Sequence, residues 1–358
     1  MMKKRFILIL SILVIIAILS IFKPFIFLSL KNEQQESSRE SIEETLREFE
    51  RIYPEKIKLV YVNMLTMHGP LSEEKANILL EENLLVKERL SANTYPLDDG
   101  FQYVNGEFVK NPDVRENTIK ELLAAKNAGM SISLVSSWWT PEGDPQFKNI
   151  KEVKEFLNEY ADILVEEAKF AEDYDVEYFE LYEPDHLVWN QPFSVDEDTV
   201  AVIVNEFKEN VVPRIRRVYK GKIGYQIGNA GEWNFTKLNV SGLDYFGVLI
   251  GGMCDFDMFK QKVDEIFSKA EQLSDSSDVP WVISELWINK LYNEEGTFCN
   301  LTGKRSKYYE YVFEKARASK YLKGIMIDTW NVDEPNFETS IKNTNSEQII
   351  KNFFETWN

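Results

Sequence analysis

The chain has 358 residues, with 59 acidic side chains against 41 basic ones and a formal net charge of -18. A balance that acidic argues against nucleic acid as a partner, because neutralising phosphates and releasing their counterions needs a basic surface. What it chiefly secures is solubility.

Lys3, Lys4 and Arg5 precede a charge-free run from Phe6 to Phe22 that is rich in Ile and Leu. Crossing a bilayer takes ~17 to 25 apolar residues, so residues 6–22 are expected to form a transmembrane helix in the lipid bilayer. The basic cluster on its N-terminal side predicts a cytoplasmic N-terminus and places everything after Leu30 outside, as a single-pass protein of the cell membrane with an extracytoplasmic domain. An uncleaved anchor over residues 1–31 is favoured over a cleaved signal peptide, since no small-x-small site follows the run, whereas Lys23, Pro24 and an apolar patch do. Residues 32–55 read as a polar tether and a short amphipathic helix, the latter from Ile42, Leu46, Phe49 and Ile52 at helical spacing.

Residues 56–358 then fit one domain, because α/β barrels run ~200 to 400 residues as a single unit. Short β-branched or aromatic runs alternate with helical stretches, the pattern of repeated βα units on a parallel sheet. The predicted strands are Ile57 to Met64, Ala92 to Leu97, Ser131 to Ser137, Val176 to Tyr182, Lys222 to Ile227, Leu243 to Ile250, Trp281 to Leu286 and Gly324 to Thr329. Between them, Val153, Phe156, Leu157, Tyr160, Ile163 and Leu164 form one apolar stripe, and Val263, Ile266, Phe267, Ala270 and Leu273 another. Eight alternations predict an α/β fold of the (β/α)8 TIM-barrel type. A doubly wound open sheet is the alternative, but no Gly-rich phosphate loop follows the first strand, where residues 63–70 read Asn-Met-Leu-Thr-Met-His-Gly-Pro.

In such barrels the reacting groups stand at the C-terminal ends of the strands. The first strand leads to Asn63 and His68, the second holds Asn93 and Tyr95, and the third ends at Trp138 and Trp139. The fourth delivers Glu183, Asp185, His186 and Trp189, and the fifth runs into Asn229, Glu232 and Trp233. The seventh ends in Glu285 and Trp287, the eighth in Asp328, Trp330 and Asn331.

Glu183 and Glu285 each close an apolar strand, where burial of a carboxylate is costly. Strands four and seven face one another across the mouth, which suits cleavage of a glycosidic bond: one carboxylic acid protonates the leaving oxygen while a second carboxylate attacks the anomeric carbon. That retaining route needs carboxyl groups ~5 to 5.5 Å apart, against ~6.5 to 9.5 Å for inversion. A plainer reading, an ion pair of each Glu with a neighbouring Lys or Arg, stays open. Six of the eight tryptophans, namely Trp138, Trp139, Trp189, Trp233, Trp287 and Trp330, fall at or just past strand ends, where an indole can stack on a sugar ring. Singly, each would more often be core. Glu180, three residues before Glu183, would lie on the opposite side of a regular strand; Glu183 is expected in the mouth and Glu180 against the helices, unless a bulge intervenes.

These residues resemble the clan of retaining glycoside hydrolases with a (β/α)8 barrel. Glu183-Pro184 is similar to that clan's Asn-Glu-Pro, which implies Glu183 as acid/base. Pro280 followed by the strand ending Ser284-Glu285 resembles its nucleophile strand, implying Glu285 as nucleophile, and Trp330 stands where the clan has its substrate-platform tryptophan. Tyr182, His186, Asn229 and Asp328 join the tryptophans as expected contacts to a carbohydrate substrate. No cofactor and no metal is implied, and the oligomeric state is left open. The chain departs from the clan at three places. Tyr182 replaces the Asn before the acid/base, the sixth strand lacks the His and Tyr near its end, and the second strand lacks an arginine.

Those departures keep a second reading alive, a non-catalytic, membrane-anchored carbohydrate-binding protein on a degenerate glycosidase barrel. Metal-dependent hydrolysis fares worse, since His68 and His186 are the only histidines, although Glu183, Asp185 and His186 could together hold one ion. No Gly-x-Ser-x-Gly element marks a serine nucleophile. Cys254 and Cys299 are either a disulfide or two separate buried thiols.

Overall fold

The computed structural model describes residues 56–357, apart from 64–72, 91–93, 99–100, 105–106, 111, 137–144, 229, 289–290, 293–297, 300, 302 and 332–339. The expected membrane anchor and tether lie outside the described residues. Among the described residues no helix is long and apolar enough to cross a membrane.

Eight strands form a closed barrel: β1 Ile57–Asn63, β2 Thr94–Asp98, β3 Ser131–Ser136, β4 Tyr178–Leu181, β5 Lys222–Ile227, β6 Tyr245–Gly251, β7 Trp281–Trp287 and β8 Leu322–Asn331. Each pairs in parallel with its sequence neighbour, and β1 pairs with both β2 and β8, which closes the ring. All eight predicted strands are present. Their ends shift by a residue or two, as expected where a pleat gives way to a loop.

The helices are α1 Glu73–Leu90, α2 Pro112–Asn127, α3 Ile150–Asp173, the short α4 Pro184–Trp189, α5 Glu197–Arg216, α6 Phe256–Ser277, α7 Arg305–Ala318 and α8 Asn345–Thr356. Side-chain caps set the start of several of them: Asn149 accepts from the Glu152 N–H ahead of α3, and Asp196 from Thr199 ahead of α5. The α3 stripe buries Val153, Phe156, Leu157, Tyr160 and Leu164, with Ile163 left at its edge, and the α6 stripe buries all five residues read from the sequence.

Period-two alternation divides each strand between an outer and an inner face. Outward residues such as Phe179, Leu181, Ile223, Tyr225, Phe246, Val248, Ile283 and Ile325 join the large core shared with the helices. The inner face is a separate small cluster of Ile57, Leu59, Tyr245, Val282 and Met326 with Tyr178 packed against it. Its bulky tyrosine needs an empty facing position: a Cβ added to Gly224 would lie 2.3 Å from the Tyr245 ring.

Two short antiparallel strand pairs accompany the barrel, Phe101–Val104 with Glu107–Lys110 and Leu291–Tyr292 with Phe298–Cys299. The second carries Cys299, bonded to Cys254 in the loop after β6 with Cα atoms 5.8 Å apart. Of the two alternatives for this pair, the disulfide is the one present, and it ties the β6–α6 loop to the β7–α7 loop at the barrel mouth.

Candidate active site

Strand β4 alternates regularly through Tyr178, Phe179, Glu180 and Leu181, so Glu180 points inward rather than toward the helices. It is fully buried, accepting from Ser133 Oγ at 3.1 Å and Tyr245 Oη at 3.0 Å. This corrects the expectation that only one of the two glutamates would face in. Glu183 escapes the alternation because its backbone turns left-handed, at φ 33° and ψ 49°, a region that non-glycine residues seldom enter. That single turn re-aims the side chain into the mouth, at a cost on the order of 1–3 kcal/mol that the surroundings must offset.

The offset comes from Asp185, two residues on and wholly buried. Its carboxylate accepts from Tyr225 Oη at 2.9 Å, from the Gly228 N–H at 3.1 Å and from Trp233 Nε1 at 3.3 Å. Three donors from the β5 strand and its loop thus fix the start of α4. Burial still pushes the Asp185 carboxyl above the usual range, with those hydrogen bonds opposing the rise.

The same stretch of β5 cradles Glu183. Gln226 Nε2 donates to Glu183 Oε1 at 3.2 Å, and a Cβ added to Gly228 would sit 2.7 Å from Glu183 Oε2. His186 Nδ1 lies 3.9 Å from Oε2. The Asn190 amide nitrogen reaches His186 Nε2 at 2.7 Å; with that nitrogen accepting, the ring hydrogen sits on Nδ1, the side toward Glu183.

Glu285 reaches the mouth by a different device. The register of β7 skips one residue against both neighbours: Val248 pairs with Ile283 and Leu249 with Glu285, while Ile325 pairs with Ile283 and Ile327 with Leu286. Without that extra residue Glu285 would share the outward face of Trp281 and Ile283. With it, Leu286 packs outward and Glu285 and Trp287 turn to the mouth, where both keep partial exposure. The Glu285 carboxyl is held well above the usual carboxylate range, first by burial and then by the negative charges of Asp328 and Glu183. Among the described residues the charges acting on it are therefore carboxylates, and Glu183 is one of them.

Chemically, two glutamates in mutual electrostatic reach, the Glu285 carboxyl raised above its usual range, offer an acid and a nucleophile or base together.

The remaining expected contacts divide. Tyr182, His186, Trp189, Trp287 and Asp328 are partly exposed residues of the strand ends and loops around the mouth, with the Trp287 ring lying over Gly251. Trp138, Trp139 and Asn229 lie outside the described residues, as does His68. Trp233 and Trp330 are corrections. The Trp233 indole is buried and spent on Asp185. Trp330 is turned outward because β8 carries its own extra residue: Asp328 pairs with Tyr61 but Trp330 with Val62, so position 329 is skipped and the faces exchange. Its Nε1 donates to Glu82 of α1 at 2.7 Å, on the helix side of the barrel. The one-ion alternative at Glu183, Asp185 and His186 meets an Asp185 already committed to three donors, and no metal-holding cluster of His, Cys, Asp or Glu occurs among the described residues.

Sequence reasoning missed Gln226, Tyr225 and Gly228. The signal was present, a glutamine alternating inward between apolar neighbours one residue short of a barrel strand's end.

No family model matches the sequence, and no curated protein matches it. Solved structures do resemble the fold. A GH113 β-1,4-mannanase superposes with a TM-score of 0.62 at 14% identity, over 85% of this chain and 100% of that one. A β-glucuronidase from Ruminococcus gnavus gives 0.56 at 10% identity, over 84% of this chain and 50% of that one. A family 1 β-glucosidase from Thermotoga maritima in complex with isofagomine lactam gives 0.53 at 12% identity, over 85% of this chain and 98% of that one. The shared feature is the barrel of glycoside hydrolases; identities this low establish the fold alone.

Proposed function

We propose that this chain is a retaining glycoside hydrolase acting on a β-linked polysaccharide or glycan. Glu183 is its general acid/base and Glu285 its nucleophile. The observation that carries the reading is the convergence of these two side chains on one mouth by two separate backbone distortions, a left-handed residue and a strand bulge, where regular strands would have turned Glu285 away. The β linkage rests on the resemblance to the mannanase, glucuronidase and glucosidase barrels.

In the first step Glu183 gives its proton to the leaving oxygen as the Glu285 carboxylate bonds to the anomeric carbon. In the second, Glu183 takes a proton from water, whose oxygen displaces Glu285. Trp287, Trp189, Tyr182 and His186 supply stacking and hydroxyl contacts around the rim. The test is hydrolysis of aryl β-mannosides, β-glucosides and β-glucuronides by the full chain. Glu285→Gln is expected to abolish turnover and Glu183→Gln to lower it roughly 10²- to 10⁴-fold, both with an unchanged fold. Full activity in Glu285→Gln would overturn the assignment.

One observation favours the second reading, a carbohydrate-binding barrel without turnover: burial and two carboxylates all oppose the ionised form that a nucleophile needs. Glycan binding with no hydrolysis on long incubation would decide for it.

We further propose that residues 6–22 anchor the barrel on the extracytoplasmic face, an arrangement supported by the Cys254–Cys299 disulfide, since such bonds persist in oxidising compartments. Labelling of intact host cells with a membrane-impermeant reagent should reach the barrel, and protection of the barrel there would refute the placement.

A further inference from the structure

Retaining chemistry makes contradictory demands on an acid/base residue. It must be a carboxylic acid when the glycosidic bond breaks and a carboxylate when water attacks, so whatever positions it has to bond both forms. A lysine or arginine offers only donors and a backbone carbonyl only an acceptor, whereas a primary amide offers both on one rotatable plane.

Gln226 meets that description. It is buried on the inner face of β5, its Nε2 donates to Glu183 Oε1 at 3.2 Å, and its Oε1 is buried without a hydrogen-bond partner among the described residues. An orphaned buried amide oxygen costs free energy in a well-packed barrel, and native structures retain few of them. Here it lies on the same amide that already touches the candidate acid/base. A half-turn of the amide exchanges its two ends, bringing Oε1 to Glu183. The turn breaks no bond of Oε1, which has none among the described residues.

We infer that Gln226 is a positioning residue that can hold Glu183 in both of its protonation states, by donating to the carboxylate or accepting from the acid. With Nε2 toward Glu183 the amide supports the carboxylate. With Oε1 toward Glu183 it accepts from the acid's O–H. The turned state is the one poised for the first step, the present state the one that serves the second. The device uses one amide for both forms of the acid/base. It rests on the glycosidase reading for the reaction it serves, but the hydrogen bond and its effect on the proton are testable without any substrate.

The experiment is a carboxyl-carbon NMR titration of the full chain labelled at glutamate, with Glu183 and Glu285 assigned by loss of their signals in Glu183→Gln and Glu285→Gln. Gln226→Met keeps length and removes both ends of the amide. The titration midpoint of Glu183 should rise by about one pH unit, because a charge-assisted bond to the Glu183 carboxylate is gone. Gln226→Glu keeps the shape and should also raise the Glu183 midpoint, through a like charge in place of a donor. Unchanged Glu183 titration in both variants overturns the inference. So does unfolding of both, by far-UV circular dichroism, since Gln226 would then serve barrel packing instead. If the protein hydrolyses none of the glycosides but the Glu183 midpoint moves as stated, the glycosidase reading fails and the positioning of Glu183 by Gln226 stands.

Discussion

Tyr245 donates its phenolic hydrogen to Glu180 Oε1 at 3.0 Å inside the barrel, where both residues are almost wholly shut off from solvent. Burial pushes the Glu180 carboxyl from 4.5 up to about 7, against the pull of its hydrogen bonds from Tyr245 and Ser133. A folded-state value above the unfolded one means that the folded protein binds more protons between the two. The stability this residue contributes is thus complete below 4.5 and is lost as the pH rises through about 7. The loss amounts to about 3 kcal/mol at 1.36 kcal/mol per unit. Glu180→Gln should be as stable at pH 8 as at pH 5 with respect to this group. Urea unfolding at the two pH values measures it, and an identical pH dependence in wild type and variant would contradict the account.

The three donors to Asp185 hold the strained turn at Glu183, so loosening one should be felt at both places. Tyr225→Phe removes the 2.9 Å bond and leaves a buried carboxylate one donor short. The expected cost is about 1–3 kcal/mol in urea unfolding, together with a fall in kcat at unchanged KM, because Glu183 and not the rim contacts is displaced. A variant with wild-type stability and kcat would show that Asp185 does not brace the site.

Trp330 and Trp287 make opposite predictions. Trp330→Phe deletes the 2.7 Å bond to Glu82 on the helix side and should lower stability by about 1 kcal/mol while leaving KM where it was. Trp287→Ala should raise KM for an oligosaccharide several-fold with little change in the unfolding midpoint. The reverse pattern in steady-state kinetics and thermal melts would place Trp330 in the mouth after all.

The repeating plan of the barrel was legible because it rests on periodicity: eight apolar runs, two long amphipathic stripes and the alternation of strand with helix all survive small errors at their ends. Which way a given side chain faces was not, wherever one residue breaks the period. The place of Glu183 at a strand end before a proline points it into the mouth, but the cause is a left-handed backbone that no glycine announces. Glu285 and Trp330 each follow an extra residue in the strand, and neither bulge carries a compositional mark. The same event turned one inward and the other outward, so a reading by strand position alone could succeed with the first and fail with the second. Trp233 shows another limit, since nothing near it in sequence reveals that a buried carboxylate claims its indole N–H.

The disulfide joins loops 45 residues apart in sequence. Constraining a loop of that length stabilises by about 2–4 kcal/mol. The paired substitution of Cys254→Ser with Cys299→Ser should lower the unfolding midpoint accordingly, and dithiothreitol should have the same effect on the wild type and none on the variant. Indifference of the wild type to reductant would mean that the pair contributes nothing to the fold.

The account turns on a covalent bond between sugar and Glu285. Its most direct measurement is peptide mass spectrometry of the full chain after incubation with 2-deoxy-2-fluoro β-mannosyl, β-glucosyl and β-glucuronyl fluorides. A glycosyl adduct on the peptide containing Glu285, absent from Glu285→Gln, is the expected result. Hydrolysis of the matching unmodified glycoside with the adduct on another residue, or with inverted product and no adduct, would contradict it.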